Sequence, residues 1–137
     1  MDLSYVTPPS ANELDYFFKH APSPAYIVDL QRLRQNANIL HSIEEDTGAS
    51  VLLALKGFAL YHTFPILEDM LSGITASGLH EALLGKEYFH GEIHVYSPAY
   101  RSGEVEELCE FVDHLIFNSL QQWEKYRGVL QYKQSQA

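Results

Sequence analysis

The segment that decides the fold spans nine residues and reads Val51-Leu52-Leu53-Ala54-Leu55-Lys56-Gly57-Phe58-Ala59. Five apolar residues run into a single lysine, and a glycine follows at once. A short apolar run bounded by a turn residue is typical of a strand buried on both faces, as in a parallel sheet. Lys56 is therefore expected at the carboxyl end of that strand, where such sheets place their ligand sites.

Two interpretations of Lys56 follow from this position. A lysine that emerges from an apolar wall is partly desolvated, and desolvation favours the neutral amine that Schiff-base chemistry requires. The alternative is a surface lysine that ends the strand and extends its amine into water. The local sequence favours the second interpretation, so the choice depends on the rest of the chain.

Composition narrows the functional classes. The chain has 137 residues, enough for one modest domain, and its 46% hydrophobic and 20% charged content is ordinary for a globular protein. A formal charge of −9 with only nine Lys and Arg argues against general nucleic-acid binding. The single cysteine excludes an intramolecular disulfide. Because the sequence shows neither a long apolar run nor a signal pattern, we expect a cytoplasmic protein.

Strand and helix patterns alternate along the chain. The strand patterns fall at residues 25–29, 51–55, 73–77, 93–97 and 114–118. Helical spacing fills the intervals, so the pattern predicts βαβ units and a parallel sheet in an α/β fold. Two architectures fit, a complete five-stranded doubly wound sheet or the first part of a larger (β/α)₈ barrel. The doubly wound sheet suits the length better, because a whole barrel needs about 250 residues.

Local signals predict where several helices begin and end. Asp29 can cap a helix over residues 30–46, and Gly48 can end it. Ser119, with a glutamine three residues later, is typical of a capping box. Residues 131–137 are polar and without pattern, so they predict no regular structure.

Four blocks of sequence resemble a known family. They are Ser-Pro-Ala-Tyr-Ile-Val-Asp at 23–29, Leu-Ala-Leu-Lys-Gly-Phe-Ala at 53–59, Thr-Ala-Ser-Gly-Leu-His-Glu-Ala at 75–82 and His-Val-Tyr-Ser-Pro-Ala-Tyr at 94–100. In this order they resemble the fold-type III, alanine racemase-like decarboxylases that use pyridoxal 5′-phosphate, a group that includes the ornithine and diaminopimelate decarboxylases. The second and fourth blocks resemble the carboxynorspermidine (carboxyspermidine) decarboxylase branch most.

The resemblance implies a domain organisation. Residues 1–29 would form an N-terminal arm and strand that join a second, β-rich domain, and residues 30–137 would form the first half of a (β/α)₈ barrel. The strands from 51–55 onward would be barrel strands one to four, with the chain ending before the fifth, so that we expect an N-terminal fragment. Half a barrel would expose strand edges and an apolar interior, which predicts aggregation.

The resemblance also implies a chemistry. The cofactor would be pyridoxal phosphate, with Lys56 as the catalytic residue that holds it. Thr75 lies where better-known relatives carry an aspartate near the cofactor, so it is a second candidate for cofactor binding. The activity would be decarboxylation of carboxynorspermidine or carboxyspermidine in norspermidine and spermidine biosynthesis, by a homodimer. In relatives, the residues that hold the phosphate and the ring nitrogen lie in the later barrel strands or the second domain, so the fragment alone is expected to be inactive.

A rival hypothesis belongs to another functional class. It is a non-catalytic doubly wound binding or signalling domain, in which Lys56 serves as a switch or ligand lysine. Such domains usually gather acidic residues at the neighbouring strand ends. Here those positions hold Thr75, Ser97 and Asn118, which disfavours the rival.

Histidine and serine residues elsewhere in the sequence are candidates for metal and anion binding. His90 and His94 are four residues apart, but Gly91 and the following strand separate them, so no metal site is predicted. Ser77 lies where a strand turns into a helix. It could help that helix bind an anion, or it could simply cap it.

Overall fold

Four parallel strands form the centre of the structure, a computed structural model that describes residues 8–101 and 103–134, with side chains up to residue 130. The strands are β1 (Leu52–Ala54), β2 (Gly73–Ala76), β3 (Glu92–Ser97) and β4 (His114–Phe117). All neighbouring pairs are parallel, and they join in chain order, β1-β2-β3-β4. The predicted α/β class with a parallel sheet is confirmed, and each strand lies within one or two residues of its predicted bounds.

Helices precede, connect and follow these strands. They are α1 (Ala11–His20), α2 (Leu30–Thr47), α3 (Phe64–Leu67, preceded by a 3-10 turn at Tyr61–Thr63), α4 (Leu79–Tyr88), α5 (Glu104–Leu108) and α6 (Leu120–Gln134). The prediction of no regular structure after residue 130 is wrong for residues 131–134, which continue α6. None of the helices in the described part of the chain combines the length and apolar character needed to cross a membrane.

The strand order separates the two architectures that the sequence left open. A doubly wound sheet reverses its strand order at a switch point and carries helices on both faces. Here the order is sequential, and α4, α5 and α6 contact one another in turn along one side of the sheet. The complete five-stranded doubly wound sheet is therefore wrong for the described residues.

Residues 25–29, the first predicted strand, form no strand within the described part of the chain. This stretch pairs with no strand in the described part of the chain, and the Tyr26 side chain is fully exposed. Strand propensity reflects how well a side chain packs on a neighbouring strand, so it does not form a strand alone. The predicted cap is present, because Asp29 Oδ1 accepts the N–H groups of Gln31 and Arg32, both at 3.0 Å.

The sheet has two unlike faces, which follow from the alternation of side chains along each strand. The covered face packs against the helices and consists of Leu53, Ile74, Ala76, Ile93, Val95, Ser97, Leu115 and Phe117. The open face carries no helix in the described part of the chain and consists of Leu52, Ala54, Gly73, Thr75, Glu92, His94, Tyr96, His114 and Ile116. Five of these nine residues carry polar side chains, so the expected apolar interior is only partly present.

The carboxylate of Glu44 links helix α2 to the amino-terminal edge of the sheet by hydrogen bonds. Glu44, near the end of α2, accepts the Ser72 hydroxyl at 2.6 Å and the backbone N–H groups of Ser72 and Val51. Burial raises the pKa of Glu44, but these hydrogen bonds favour the ionised form and outweigh it, so the pKa lies below its ordinary value. This single side chain holds α2 beside the starts of β1 and β2.

Candidate active site

Lys56 lies at the carboxyl edge of the sheet, in a tight turn that follows β1. The Ala54 carbonyl accepts the N–H of Gly57 at 2.9 Å and that of Phe58 at 3.1 Å, which closes the turn around Lys56. The Leu55 N–H donates to the Thr75 carbonyl at 3.1 Å and holds this end of β1 against β2. The described residues leave Lys56 exposed, which agrees with the second of the two interpretations, a lysine that ends the strand and extends its amine into water.

Thr75 lies on the neighbouring strand, below the level of Lys56. It is half-buried on the open face and is opposite Ala54 on β1 and His94 on β3. The paired part of β1 ends at Ala54, opposite Thr75, and Lys56 lies in the turn that follows. The fold therefore places Lys56 just after β1 and Thr75 near the end of the adjacent β2, at the same end of the sheet.

An open cleft of about 660 Å³ lies at the same edge, where β2 and β3 run into their helices. Its lining includes Ser77, His80, Glu81, Arg101 and Glu104. Parallel α/β sheets bind ligands at such carboxyl edges, because the loops diverge there and leave a crevice. Three glutamates line the cleft, at positions 81, 104 and 107.

Two of these glutamates occupy the backbone donors at the start of α4. Glu81 accepts the Ser77 N–H at 2.8 Å, and Glu104 accepts the Leu79 N–H at 3.1 Å and the Arg101 N–H at 2.8 Å. Gly78 is the N-cap residue and contributes no side-chain hydrogen bond. Capping by Ser77 is therefore wrong, and carboxylates occupy two of the backbone donors, Ser77 and Leu79, that an incoming anion could use.

Tyr100 holds the ends of β3 and β4 together from the covered side. Its hydroxyl lies 2.8 Å from the Ile116 carbonyl, to which it donates, and it accepts the Ser97 N–H at 3.2 Å. Its ring packs against Phe117 and Tyr126. Burial raises the pKa of Tyr100 to about 12. These contacts fit the rule that a buried tyrosine hydroxyl generally has a hydrogen-bond partner.

Tyr96 extends the polar lining of the open face to the last strand. Its hydroxyl donates to Asn118 Oδ1 at 2.8 Å. Asn118 in turn donates its N–H to Gln122 at 2.8 Å, and Gln122 donates its own N–H to the Ser119 hydroxyl. The predicted cap of α6 is thus present in modified form, with the glutamine reaching back to Asn118.

The curated proteins that this chain resembles include several decarboxylases. The chain is 44% identical over 115 residues to the carboxynorspermidine/carboxyspermidine decarboxylase of Campylobacter jejuni, a match over 84% of this chain and 30% of the relative. It is 42% identical over 109 residues to the carboxyaminopropylagmatine decarboxylase of a Synechocystis species, a match over 80% of this chain and 28% of the relative. No protein-family model matches the chain.

A solved structure agrees with these relatives. The crystal structure of Campylobacter jejuni carboxynorspermidine decarboxylase, complexed with norspermidine, superposes with a TM-score of 0.77 at 46% identity, covering 80% of this chain and 30% of that one. The resemblance to carboxynorspermidine decarboxylases is confirmed. The chain spans about 30% of the length of the relatives it matches.

The shared part of the carboxynorspermidine decarboxylase fold is an α/β unit with a parallel sheet. Three of the four resembling blocks lie at comparable places in it, whereas the block at 23–29 precedes α2. Residues 53–59 and 94–100 cover the carboxyl ends of β1 and β3, and residues 75–82 cover the turn from β2 into α4. The resemblance is therefore concentrated at one edge of the sheet, the edge that carries Lys56 and the cleft.

Proposed function

We propose that the chain carries the cofactor-lysine side of the active site of a pyridoxal-phosphate-dependent decarboxylase acting on carboxynorspermidine or carboxyspermidine in polyamine biosynthesis. The observation that carries this proposal is the position of Lys56, an accessible amine at the carboxyl edge of a sheet that superposes on carboxynorspermidine decarboxylase. The names of the relatives support the reaction class.

Lys56 and Thr75 would hold the cofactor. An aldehyde needs a primary amine that it can reach, and the exposed side chain of Lys56 meets that need. Thr75 offers a hydroxyl on the adjacent strand and on the open face. Pyridoxal phosphate, when bound, supplies an electron sink for the electron pair left when carbon dioxide departs.

The start of α4 is an unfavourable place for the cofactor's phosphate. Its donors at Ser77 and Leu79 already bind the carboxylates of Glu81 and Glu104, whose charge also repels an anion. The phosphate would therefore be held elsewhere in the whole protein. The same carboxylates suit a polycationic substrate, and the net charge of −9 agrees with that preference.

The four strands would be strands one to four of a (β/α)₈ barrel. Their sequential parallel order and one-sided helical layer support this assignment. The open face would then line the barrel, and residues 1–29 would join a second, β-rich domain. The exposure of Tyr26 and Ile27 is consistent with a partner from such a domain.

The working protein would be a cytoplasmic homodimer, as the family resemblance implies. Without a phosphate site, the 137-residue chain alone would be inactive as a decarboxylase. The rival function, a binding or signalling domain of doubly wound type, loses its structural support because the strand order is sequential.

Covalent trapping on the chain tests the role of Lys56. The chain is incubated with pyridoxal phosphate, reduced with borohydride, digested and analysed by mass spectrometry. The label is expected on Lys56 in preference to Lys86, whose amine lies over the Phe111 ring. Equal labelling of all lysines would contradict the role of Lys56 as a specific cofactor-binding residue.

Activity is tested in a chimera in which residues 22–127 replace the matching segment of the Campylobacter jejuni relative. Lys56→Ala is expected to lower carbon dioxide release by roughly 10³-fold or more, because the residue that holds the cofactor is lost. Lys86→Ala is the matched control and should leave the rate unchanged. A chimera that retains full activity after Lys56→Ala would overturn the proposal.

A further inference from the structure

Three side chains with metal-binding atoms converge on the open face, away from Lys56. Glu92 and His94 are two residues apart on β3 and therefore project from the same face of the sheet. His114, the first residue of β4, lies directly opposite His94 in the parallel register. One ligand atom from each of the three lies within 4.8 Å of the others.

The contacts within this trio already resemble those of a ligand set. His94 Nε2 lies 2.8 Å from Glu92 Oε2. The rings of His94 and His114 face each other with centroids 4.2 Å apart and planes tilted by 38°. A tetrahedral zinc ion with bonds of about 2.1 Å separates its ligand atoms by about 3.4 Å. His94 Nε2 and Glu92 Oε2, at 2.8 Å, must therefore move slightly apart, while any pair near the 4.8 Å limit must move closer. The part-exposed Glu92 carboxylate can adjust its position by a rotamer change.

The donor chemistry selects the kind of metal. Two imidazoles and one carboxylate suit Zn²⁺ and its first-row neighbours, whereas Mg²⁺ and Ca²⁺ prefer sites made of oxygen alone. Three protein ligands also leave a coordination position open, as in mononuclear zinc sites with a bound water. The carboxylate supplies negative charge to offset the dication.

The trio lies at a different place from the candidate active site. Glu92 and His114 begin their strands and His94 is in the middle of β3, whereas Lys56 and the cleft lie at the carboxyl edge. A sequence signal for the trio exists, because Glu-Ile-His alternation on a strand places the acid and the imidazole on one face. The pair considered from sequence, His90 and His94, is not part of it, since His90 binds Glu68.

We propose that Glu92, His94 and His114 bind Zn²⁺ through one atom each. The ion joins β3 to β4 across the open face. It replaces the hydrogen bond between Glu92 and His94 with two bonds to one centre. This proposal rests on the sheet register and the side-chain positions, so it does not depend on the decarboxylase assignment.

Cobalt is the probe for this site. The untagged chain is stripped with a chelator and titrated with Co²⁺, and its visible d–d absorption is recorded. We expect an absorption band that saturates at one equivalent of Co²⁺ and that disappears when Zn²⁺ is added. His114→Ala should weaken Co²⁺ binding by more than about tenfold, since even the loss of outer-shell partners of a metal site costs 10–100-fold. Glu92→Gln should weaken it while keeping the side-chain shape.

The matched control is His62→Ala, which removes an exposed histidine of the 3-10 turn, remote from the trio. This variant should bind Co²⁺ with the same affinity as the original chain. Thermal unfolding gives a second readout. Zn²⁺ should raise the Tm of the original chain and leave that of His114→Ala unchanged. Absence of the cobalt band, or equal affinity in His114→Ala, would overturn the proposal and leave the trio as a hydrogen-bonded pair beside a stacked imidazole.

Discussion

The two faces of the sheet are built on opposite principles. On the covered face, Ile74 and Val95 are completely buried beneath the helices. The outer strands of that face are less covered, since Leu53, Leu115 and Phe117 are half-buried. On the open face, Tyr96 and Ile116 keep about 40% of their surface exposed, and they alternate with imidazole, carboxylate and hydroxyl groups. The same strands supply both faces, one residue apart.

This difference between the two faces indicates that the covered face contributes mainly to stability and the open face mainly to binding. The covered face gains free energy by removing apolar surface from water, and close packing makes it sensitive to any change of volume. The open face contributes little burial, so its residues are available for binding. Lys56, Thr75 and the Glu92–His94–His114 trio all lie on or next to the open face. We therefore expect substitutions on the two faces to affect different measurements.

The largest effect on stability is expected for Ile74→Ala on the covered face. The cavity left under α4 should lower the free energy of unfolding by about 2–5 kcal/mol. Its counterpart on the open face, Ile116→Ala, should cost about 0.5 kcal/mol, because Ile116 is 41% exposed. Urea unfolding followed by circular dichroism measures both. Equal losses would show that the open face is buried in the protein in solution.

Gly85→Ala should produce an intermediate loss by overfilling the covered face. A Cβ at Gly85 would lie 2.8 Å from Cδ1 and Cγ1 of Ile74, so α4 or the isoleucine must shift. We expect a destabilisation of about 1–3 kcal/mol. Adding Ile74→Val to Gly85→Ala should recover part of it, because the removed methyl group relieves the clash.

Gly128→Ala in α6 is the control for the glycine substitution. A Cβ there meets no atom within 4 Å, so the better helix propensity of alanine should stabilise the chain by about 0.5–1 kcal/mol. The same thermal or urea melts measure both glycine variants. A destabilising Gly128→Ala together with a neutral Gly85→Ala would contradict the packing of α4 on β2.

Alkaline pH should produce the smallest and most selective effect, through Tyr100. Its pKa in the folded chain is raised from 10 to about 12, so folding favours the neutral hydroxyl. The stability that this hydroxyl contributes is fully present below about pH 10 and is lost as pH rises towards about 12. Tyr100→Phe should therefore show a smaller loss of stability than the original chain between those pH values.

Tyr26→Phe is the reference for the alkaline experiment. Tyr26 is fully exposed and packs on no part of either face, so its removal should leave the pH dependence unchanged. Tm measured across the range from pH 8 to pH 12 distinguishes the two variants. Identical curves for Tyr100→Phe and the original chain would show that the buried hydroxyl does not couple to folding.

Much of the covered face could be predicted from the sequence. Apolar runs and helical spacing located all four sheet strands and most helices, because burial imposes period two on strands and period 3.6 on helices. Asp29 and Gly48 marked the ends of α2 for equally local reasons: the carboxylate accepts two N–H groups, and the glycine adopts a positive φ of 70°. The resemblance blocks added Lys56 and Thr75 as candidates.

The open face could not be predicted in the same way. His94 and His114 are twenty residues apart, and only the parallel register places them opposite each other. Likewise, the Glu104 carboxylate reaches Leu79 across twenty-five residues to occupy a donor at the start of α4. Residues 25–29 show the opposite case, in which the sequence has a strand pattern but the described part of the chain offers no neighbouring strand to pair with.

The amino-acid sequence by itself determined the alternation of strands and helices, the helix caps, the likeness to carboxynorspermidine decarboxylases and the candidacy of Lys56. Each of these depends on neighbouring residues or on a colinear pattern. Tertiary structure decided the strand order, the division into a covered and an open face, and the meeting of Glu92, His94 and His114. These depend on which strands pair and in which register, and that is settled by the packing of helices that are distant in sequence.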